Sequence, residues 1–214
     1  MSPVLKVAQQ KDLTAIAHCH KIVFPNSLTS KMGEHYLSKV FSWYLSTDKA
    51  FLFFLQQEGQ VIGYAGGILV DGTLAHGSAS SMTQYTFNDA IKALLLRPWL
   101  LLHPDFLSRY ALFARNIVTR IKNKFSSTVV RSAPVPPEPY AGLVVIGIHP
   151  TFQGKGYGSS LLNEFEKIVL QNGFKKMILT VNSDNTQAIK SYQRNGWDIK
   201  NSNQKSTSME KRLS

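Results

Sequence analysis

Cysteine is nearly absent from this sequence, which contains a single one, Cys19, in 214 residues. One cysteine cannot form an internal disulfide, and it excludes a cysteine-rich metal site. The N-terminal stretch MSPVLKVAQQKDL also lacks the apolar run of a secretory signal peptide. We therefore expect no signal peptide, and we expect the protein to work in the cytoplasm, where thiols stay reduced.

Long apolar runs are missing as well. The most apolar segment, residues 91–107, has the sequence IKALLLRPWLLLHPDFL and contains Lys92, Arg97 and Pro98. A transmembrane helix needs about 20 consecutive apolar residues, so this segment is too short to cross a bilayer. We expect no membrane span, while contact with a membrane surface stays open.

Acidic residues are few, since 13 Asp and Glu stand against 24 Lys and Arg and leave a formal net charge of +11. A charge of this size favours an anionic partner. Nucleic acid, an acidic lipid surface and a phosphate-bearing small molecule all meet that description, and composition does not choose among them. The apolar fraction of 43% and the charged fraction of 17% are typical of a globular chain.

Hydrophobic periodicity predicts strands and helices over the first 70 residues. The predicted elements are a strand at 4–8, a helix at 13–24 with Asp12 as its N-cap, a helix at 28–46 and a β-hairpin at 50–70 with its turn at 57–60. The hairpin prediction rests on two runs rich in aromatic and β-branched residues that flank the sequence QEGQ.

Residues 71–140 differ from their surroundings. Small and polar residues come first, the apolar segment 91–107 follows, and the stretch 105–125 has the pattern of a basic amphipathic helix. The proline-rich SAPVPPEPY at 132–140 is expected to be extended and stiff. We interpret 71–140 as a basic helical insertion between the third and fourth strands of one sheet, within a single domain spanning 1–214.

The pattern becomes regular again after this insertion. The predicted elements are a strand at 143–149, a helix at 156–173 with Leu161, Leu162, Phe165 and Ile168 buried, a strand at 175–182, a helix at 185–196 and two antiparallel strands at 197–201 and 206–213. Gly173 and Gly196 are expected to end the two helices.

The loop QGKGYGS, residues 153–159, contains three alternating glycines, Gly154, Gly156 and Gly158. Glycine in a regular element costs roughly 0.5–1 kcal/mol relative to alanine, so their presence needs a reason. Between a strand and a helix, such a loop leaves backbone N–H groups free to bind an anion, and the helix dipole adds positive potential. We predict a pyrophosphate site here, with Lys155 at its rim. The alternative is a tight turn that permits close packing, and both the P-loop pattern and the dinucleotide fingerprint are absent.

Two motifs, one in this loop and one after the next strand, narrow the choice of ligand. The first, QGKGYG, fits the pattern Gln/Arg-x-x-Gly-x-Gly/Ala through Gln153, Gly156 and Gly158. The second, NTQAIKSYQRNGW, fits N-x-x-A-x-x-x-Y-x-x-x-G-[FW] through Asn185, Ala188, Tyr192, Gly196 and Trp197. Together they resemble the GNAT superfamily of acyl-CoA-dependent N-acyltransferases over roughly 143–200. The resemblance leaves the insertion 71–140 unexplained.

The resemblance implies a GNAT-type α/β fold, with helices flanking a mixed, mostly antiparallel and splayed sheet. It implies acetyl-CoA as the acyl donor, in the gap between strands 143–149 and 176–182, with its pyrophosphate on the amides of 153–159. The pantetheine arm would follow the strand edge that ends at Ile148 and His149. The implied cofactor-binding residues are Ile148, Gln153, Gly154, Lys155, Gly156, Tyr157, Gly158, Ser159 and Asn185, and Tyr192 is the implied catalytic residue. No metal site is expected.

Asn185 and Tyr192 are seven residues apart, which is two helical turns, so they share one helix face. N-acylation adds an amine to a thioester carbonyl and expels a thiolate, and a phenol near the sulfur can act as general acid. Two plainer roles stay open: Tyr192 as a half-buried core residue, and Asn185 as the N-cap of its helix.

A general base is less well defined by the sequence. His149 ends the strand, but in the family that this chain resembles a histidine before this proline is a frequent filler. The other candidates for accepting the amine proton are Glu34, His35, Glu138 and Asp71, unless water carries it. The remaining histidines, His18, His20, His76 and His103, show no metal-binding spacing.

Three functions remain in competition. The first is transfer of acetyl to the primary amine of a small molecule, an amino sugar or nucleotide amino sugar, held between the 20–35 region and the insertion. The stretch FPNSLTSKMGEHYL at 24–37 is similar to GNAT members of bacterial surface-polysaccharide assembly. The second is acetylation of a protein or peptide amine. The third is a non-catalytic module whose basic stretch, 109–124, binds nucleic acid or an anionic membrane, although no nucleic-acid motif is present. The sequence does not specify the acyl chain length or the oligomeric state.

Overall fold

The computed structural model describes residues 2–72, 79–107 and 138–213. Its strands are β1 (Val4–Val7), β2 (Ala50–Gln57), β3 (Gln60–Val70), β4 (Tyr140–Ile148), β5 (Lys176–Asn182), β6 (Asp198–Ser202) and β7 (Ser206–Arg212). They form one seven-stranded sheet in the order β1-β2-β3-β4-β5-β7-β6. In this part of the chain β4 and β5 are the one parallel pair, and all other neighbours are antiparallel.

Helices cover both faces of the sheet. They are α1 (Leu13–Val23), α2 (Leu28–Lys31), α3 (Glu34–Trp43), α4 (Ala79–Tyr85), α5 (Phe87–Leu96), α6 (Tyr157–Gln171) and α7 (Thr186–Arg194). The architecture confirms the predicted mixed α/β fold class, a mostly antiparallel sheet flanked by helices.

The predicted β-hairpin is present and closes with a two-residue turn. Glu58 and Gly59 both have left-handed backbone conformations, with φ of 50° and 82°. Positive φ at both central residues is the geometry whose twist matches that of the flanking antiparallel strands. Asp12 stands at the N-cap position of α1 as predicted, but its carboxylate accepts from the Gln9 N–H at 2.9 Å rather than from an amide of α1.

The single helix predicted over 28–46 is two helices in the structure. Gly33, with φ of 101°, separates α2 from α3, because this conformation cannot continue a helix. The guanidinium of Arg97 donates to the Met32 carbonyl at 3.0 Å and lies where a side chain at residue 33 would project. The interruption is therefore fixed by a contact with the insertion, 65 residues away in sequence.

The sheet divides the core into two layers. Side chains alternate along β2, so Phe54 joins Ile16 and Phe41 under α1 and α3, whereas Phe53 joins Phe165 under α6. Leu161, Leu162, Phe165 and Val169 form the buried face of α6, and the predicted Ile168 lies at its margin, only partly buried.

The insertion connects two neighbouring strands. β4 pairs with β3 along its whole length, from Ile148 opposite Gly63 to Tyr140 opposite Val70, although 69 residues separate Val70 from Tyr140 in sequence. α5 and the 3-10 turn at Pro98–Leu102 pack Ala93 and Leu100 against Met32. Of the helix predicted at 105–125, only 105–107 is described, and it is helical. Most of the proline-rich connector, 132–137, lies outside the described residues.

Candidate active site

The sheet opens between its two parallel strands. β4 and β5 pair at three positions only, the last being Leu143 opposite Leu179. The register between β3 and β4 shifts at the same level, because Gly66 pairs with Val145 and Gly67 with Leu143, which leaves Val144 as a bulge. A bulge bends its strand and increases its twist, so β4 turns away from β5 beyond this residue.

The opening is a cavity of about 270 Å³ between the two strands and α7. β4 contributes residues 143–146 and β5 contributes residues 179–182 to its walls. The other lining residues are Asn185, Ala188 and Tyr192 of α7, and Phe24 just after α1. The volume lies just below the usual range for ligand pockets, which suits a narrow, extended ligand.

The open edge of β4 carries main-chain hydrogen-bonding groups. The His149 N–H donates to the Ile62 carbonyl of β3 at 2.9 Å. Because alternate residues of a strand direct their N–H and C=O groups to opposite edges, those of Ile146 and Ile148 point away from β3 and towards the opening. The Ile148 carbonyl accepts from Nε2 of Gln153 at 3.1 Å, which ties the following loop to the end of the strand.

The three alternating glycines of the loop differ in what the backbone demands. Gly154 and Gly156 have φ of 75° and 83°, a region that side chains rarely adopt. Gly158 has no such conformation, and a Cβ added there would meet no atom within 4 Å. The fold therefore explains the first two glycines and leaves the third without a structural reason.

The loop leads directly into the N-terminus of α6. Gly156 is the N-cap and has no side chain to bond the first amides, and the first helical bond runs from the Ser160 N–H to the Gly156 carbonyl. The N–H groups of Tyr157, Gly158 and Ser159 precede it and have no partner within the helix. Nζ of Lys155 lies 5.2 Å from the centre of the half-buried Phe152 ring, so the loop carries a cation next to the N-cap residue.

The two polar residues of α7 line the same cavity, as their spacing predicts. Oδ1 of Asn185 accepts from the Ala188 N–H at 3.1 Å, so Asn185 is the N-cap and its NH₂ group stays available to donate. Burial raises the pKa of Tyr192 to about 12, so the phenol is protonated at neutral pH. Its ring packs against Trp197 with centroids 6.2 Å apart.

The candidate bases have other partners. Glu138 accepts from Lys176 and Arg212 at 3.0 Å, and hydrogen bonds from these two residues lower its pKa. Asp71 accepts from Lys49 at 2.7 Å. Both carboxylates adjoin the Val70–Tyr140 end of the strands, whereas the opening lies towards Ile148.

The other candidates, Glu34, His35 and His149, are not among the described residues that line the cavity. Glu34 is within 3.4 Å of His18 and Lys21, and the hydrogen bond to His18 is the largest cause that lowers its pKa. His35 is exposed. Nδ1 of His149 bonds Oγ1 of Thr151 at 2.9 Å. No group of three or more potential metal ligands occurs in the described ranges.

Two features of the site were not predicted from the sequence. Val144 is an ordinary strand residue, and nothing in its identity marks the bulge. Phe24 is the last residue of the helix predicted at 13–24 and belongs to neither motif, yet it lines the opening. Its ring also lies 5.0 Å from that of the buried His20.

Comparison with known proteins agrees with this architecture. Residues 112–197 match the model of the Acetyltransferase (GNAT) family. Three similar solved structures illustrate the range of relatives. The PaiA N-acetyltransferase from Thermoplasma acidophilum in complex with coenzyme A is 13% identical, with a TM-score of 0.59 and 100% of both chains covered.

The ribosomal-protein-S18-alanine N-acetyltransferase from Escherichia coli is 16% identical, with a TM-score of 0.54 and coverage of 99% of this chain and 94% of the other. A spermidine N-acetyltransferase chimera from Vibrio cholerae and hSSAT is 13% identical, with a TM-score of 0.56 and coverage of 99% and 96%. At such identities the likeness shows a common fold.

Proposed function

We propose that this chain is a GNAT-type acyl-CoA-dependent N-acyltransferase that moves the acetyl group of acetyl-CoA to a primary amine of a small molecule. The family match over residues 112–197 and the shared fold support this proposal. The proposal rests on one observation, that three features which can bind acetyl-CoA are consecutive along the chain. The open edge of β4, the loop 153–159 and the free amides of α6 follow one another without a break.

Acetyl-CoA fits this line by its chemistry. The pantetheine arm has amide groups, which can pair with the outward N–H and C=O groups of Ile146 and the N–H of Ile148 as an added strand would. The pyrophosphate is anionic, and the N–H groups of Tyr157, Gly158 and Ser159 with the ammonium of Lys155 provide donors and charge for it. The bare Gly158 leaves room for phosphate oxygens to approach the helix.

Some residues of the loop would contact the cofactor, and others hold the loop in position. Gly154 and Gly156 supply the left-handed turns that aim the amides at one spot. Gln153 holds the loop against the strand through the Ile148 carbonyl, so we assign it a positioning role. The PaiA structure in complex with coenzyme A supports this donor, because it has the same fold.

The chemical step requires one bond to form and one to break. The amine nitrogen attacks the thioester carbonyl, the C–N bond forms, the C–S bond breaks, and the sulfur leaves as a thiolate. Tyr192, protonated and in the cavity, donates its proton to that sulfur, and the NH₂ of Asn185 donates to the pantetheine. The described residues that line the cavity include no carboxylate and no imidazole, so we assign the amine proton to water.

The acceptor side is formed by the segment after α1 and by the insertion. Hydrogen bonds join them in the described part of the chain. They run from Arg97 to the Met32 carbonyl, between His103 and the Asn26 carbonyl, and from the Leu28 N–H to Asp105. The net charge of +11 supports an acceptor that carries phosphate, such as a nucleotide amino sugar. The free, buried Cys19 agrees with a cytoplasmic location, which is part of the proposal.

A protein or peptide amine is the alternative acceptor. The S18-alanine enzyme has the same fold as the spermidine enzyme, so architecture does not distinguish a peptide from a small amine. The test is release of free thiol from acetyl-CoA with a panel of amino sugars, nucleotide amino sugars, polyamines and peptides. We expect the largest kcat/KM with an amino sugar. A peptide or polyamine at the top of the panel would reject the acceptor, and absence of turnover together with absence of acetyl-CoA binding would reject the donor.

A further inference from the structure

The segment from Ile91 to Leu107 exposes an unusual amount of apolar surface. Seven large apolar side chains on α5 and the turns after it are exposed: Ile91 by 41%, Leu95 by 76%, Leu96 by 74%, Trp99 by 64%, Leu101 by 44%, Leu102 by 76% and Leu107 by 56%. We call this set the apolar face. It contains half of the exposed large apolar residues in the described ranges, and the rest are scattered singly or in pairs. Apolar surface concentrated in this way marks an interaction site.

The apolar face is held outward by the side of the segment that is buried. Ala93, Leu100 and Phe106 are at most 8% exposed, and the first two pack against Met32. Arg97 donates to the Met32 carbonyl and anchors the segment to the turn between α2 and α3. A surface helix normally presents polar side chains to water, so an anchored segment with leucines on its outer side is built to be covered.

The charge of the sequence points to what covers the apolar face. The chain has a net charge of +11, and between residues 91 and 131 the sequence has eight Lys and Arg and a single acidic residue, Asp105. Segments that lie at the surface of an anionic bilayer typically combine leucines on one side, a tryptophan and a surplus of basic residues. A second copy of the chain would instead bring two equally basic segments together. Nucleic acid would make little use of the aliphatic side chains, because it is bound by charge and aromatic stacking.

We propose that the apolar face docks the protein on the surface of an anionic lipid bilayer. Leu95, Trp99 and Leu102 enter the boundary between headgroups and acyl chains, and Lys92 stays at the level of the acidic headgroups. The contact is peripheral, since none of the described helices has the length and apolar content to cross a bilayer. The inference does not depend on which amine is acetylated.

The protein contains its own reporter for this test. Trp43 and Trp197 are 3% and 1% exposed, so Trp99 is the one exposed residue of the three tryptophans. The full-length protein is mixed with vesicles of phosphatidylcholine and phosphatidylglycerol, and with vesicles of phosphatidylcholine alone. We expect sedimentation with the anionic vesicles, a blue shift of tryptophan emission and protection from acrylamide. All three signals should weaken as salt rises, because salt screens the attraction to acidic headgroups.

Two double variants separate the apolar face from exposed apolar residues in general. Leu95→Ser with Leu102→Ser removes the two most exposed side chains of the face and should lower the vesicle partition coefficient at least about tenfold. Val7→Ser with Leu170→Ser changes residues that are 70% and 46% exposed elsewhere and should leave it unchanged. Both variants should keep the wild-type melting temperature.

Three results would overturn the inference. They are absence of binding to anionic vesicles, equal binding by the Leu95/Leu102 variant, and equal loss of binding in the Val7/Leu170 variant. If vesicles fail to bind and light scattering shows a dimer that the Leu95/Leu102 variant dissociates, the apolar face is an interface between copies of this chain.

Discussion

Nδ1 of His20 lies 2.5 Å from the hydroxyl oxygen of Tyr64 in the core between α1 and the sheet. Tyr64 is fully buried and its ring packs against Gly147 of β4, where an added Cβ would lie 3.0 Å from it. Burial raises the pKa of Tyr64 well above its usual value, so the phenol keeps its proton and shares one hydrogen bond with the neutral imidazole. Burial lowers the pKa of His20 from 6.5 to about 4.

This pair predicts acid sensitivity in a defined pH range. The unfolded chain protonates His20 near pH 6.5 and the folded protein only near pH 4, so the unfolded state binds the extra proton between them. Stability is therefore highest above pH 6.5 and falls as the pH is lowered towards 4, by up to about 3 kcal/mol from this residue. The free energy of unfolding, measured with urea at several pH values across this range, should depend less steeply on pH for His20→Gln than for the wild type. The exposed His35→Gln is the control and should keep the wild-type slope.

Tyr192→Phe should separate catalysis from binding. The change keeps the ring and its packing on Trp197 and removes only the donor to the leaving sulfur. An interaction made mainly in the transition state affects kcat and leaves ground-state affinity alone. We expect kcat to fall at least about tenfold while the Kd of acetyl-CoA changes by less than about threefold. An unchanged kcat, measured by thiol release, would make Tyr192 a core residue and leave the acid unidentified.

Gly158→Val tests the pyrophosphate site without disturbing the loop. Gly156 is less suitable, because its φ of 83° would strain any side chain whether or not a ligand binds. Residue 158 has ordinary backbone angles and open space, and valine is a better helix former than glycine. We expect an unchanged or higher melting temperature and a Kd of acetyl-CoA raised at least about tenfold, or about 1.4 kcal/mol.

Ser160→Val is the matched control for that substitution, since Ser160 is exposed in the same helical turn and is not assigned to the cofactor. It should bind acetyl-CoA as the wild type does. The dissociation constants are measured by calorimetry. If the Gly158 variant binds acetyl-CoA as the wild type does, the glycine-rich loop is a simple turn and not a pyrophosphate site.

Gln153→Leu should weaken donor binding without slowing the chemistry. The bond from Gln153 to the Ile148 carbonyl positions the loop in the ground state and the transition state alike. Loss of uniform binding raises KM and leaves kcat unchanged. We expect KM for acetyl-CoA to rise about three- to tenfold, the size of one neutral hydrogen bond, with kcat within about twofold. Gln171→Leu, at an exposed residue at the far end of α6, should change neither constant, and a lower kcat for the Gln153 variant would contradict the positioning role.

Local sequence pattern predicted most of the elements, because strands, helix ends and the glycine-rich loop depend on neighbouring residues. It also predicted that Asn185 and Tyr192 share one face of a helix, since seven residues are two helical turns, and both residues line the opening. The break at Gly33 was missed, because an isolated glycine is tolerated within a helix and the deciding contact comes from Arg97. The bulge at Val144 and the pairing of His20 with Tyr64 depend on residues far apart in sequence, which periodicity does not report.

The parting of β4 from β5 has a consequence for how the protein tolerates sequence change. For a ligand held by the outward main-chain groups of Ile146 and Ile148, the side chains at these two positions pack against the core and make none of those hydrogen bonds. Any apolar residue that preserves the strand therefore preserves the recognition. Recognition of such a donor depends on the shape of the backbone. Many of the surrounding side chains can therefore change by mutation before binding of the donor is lost.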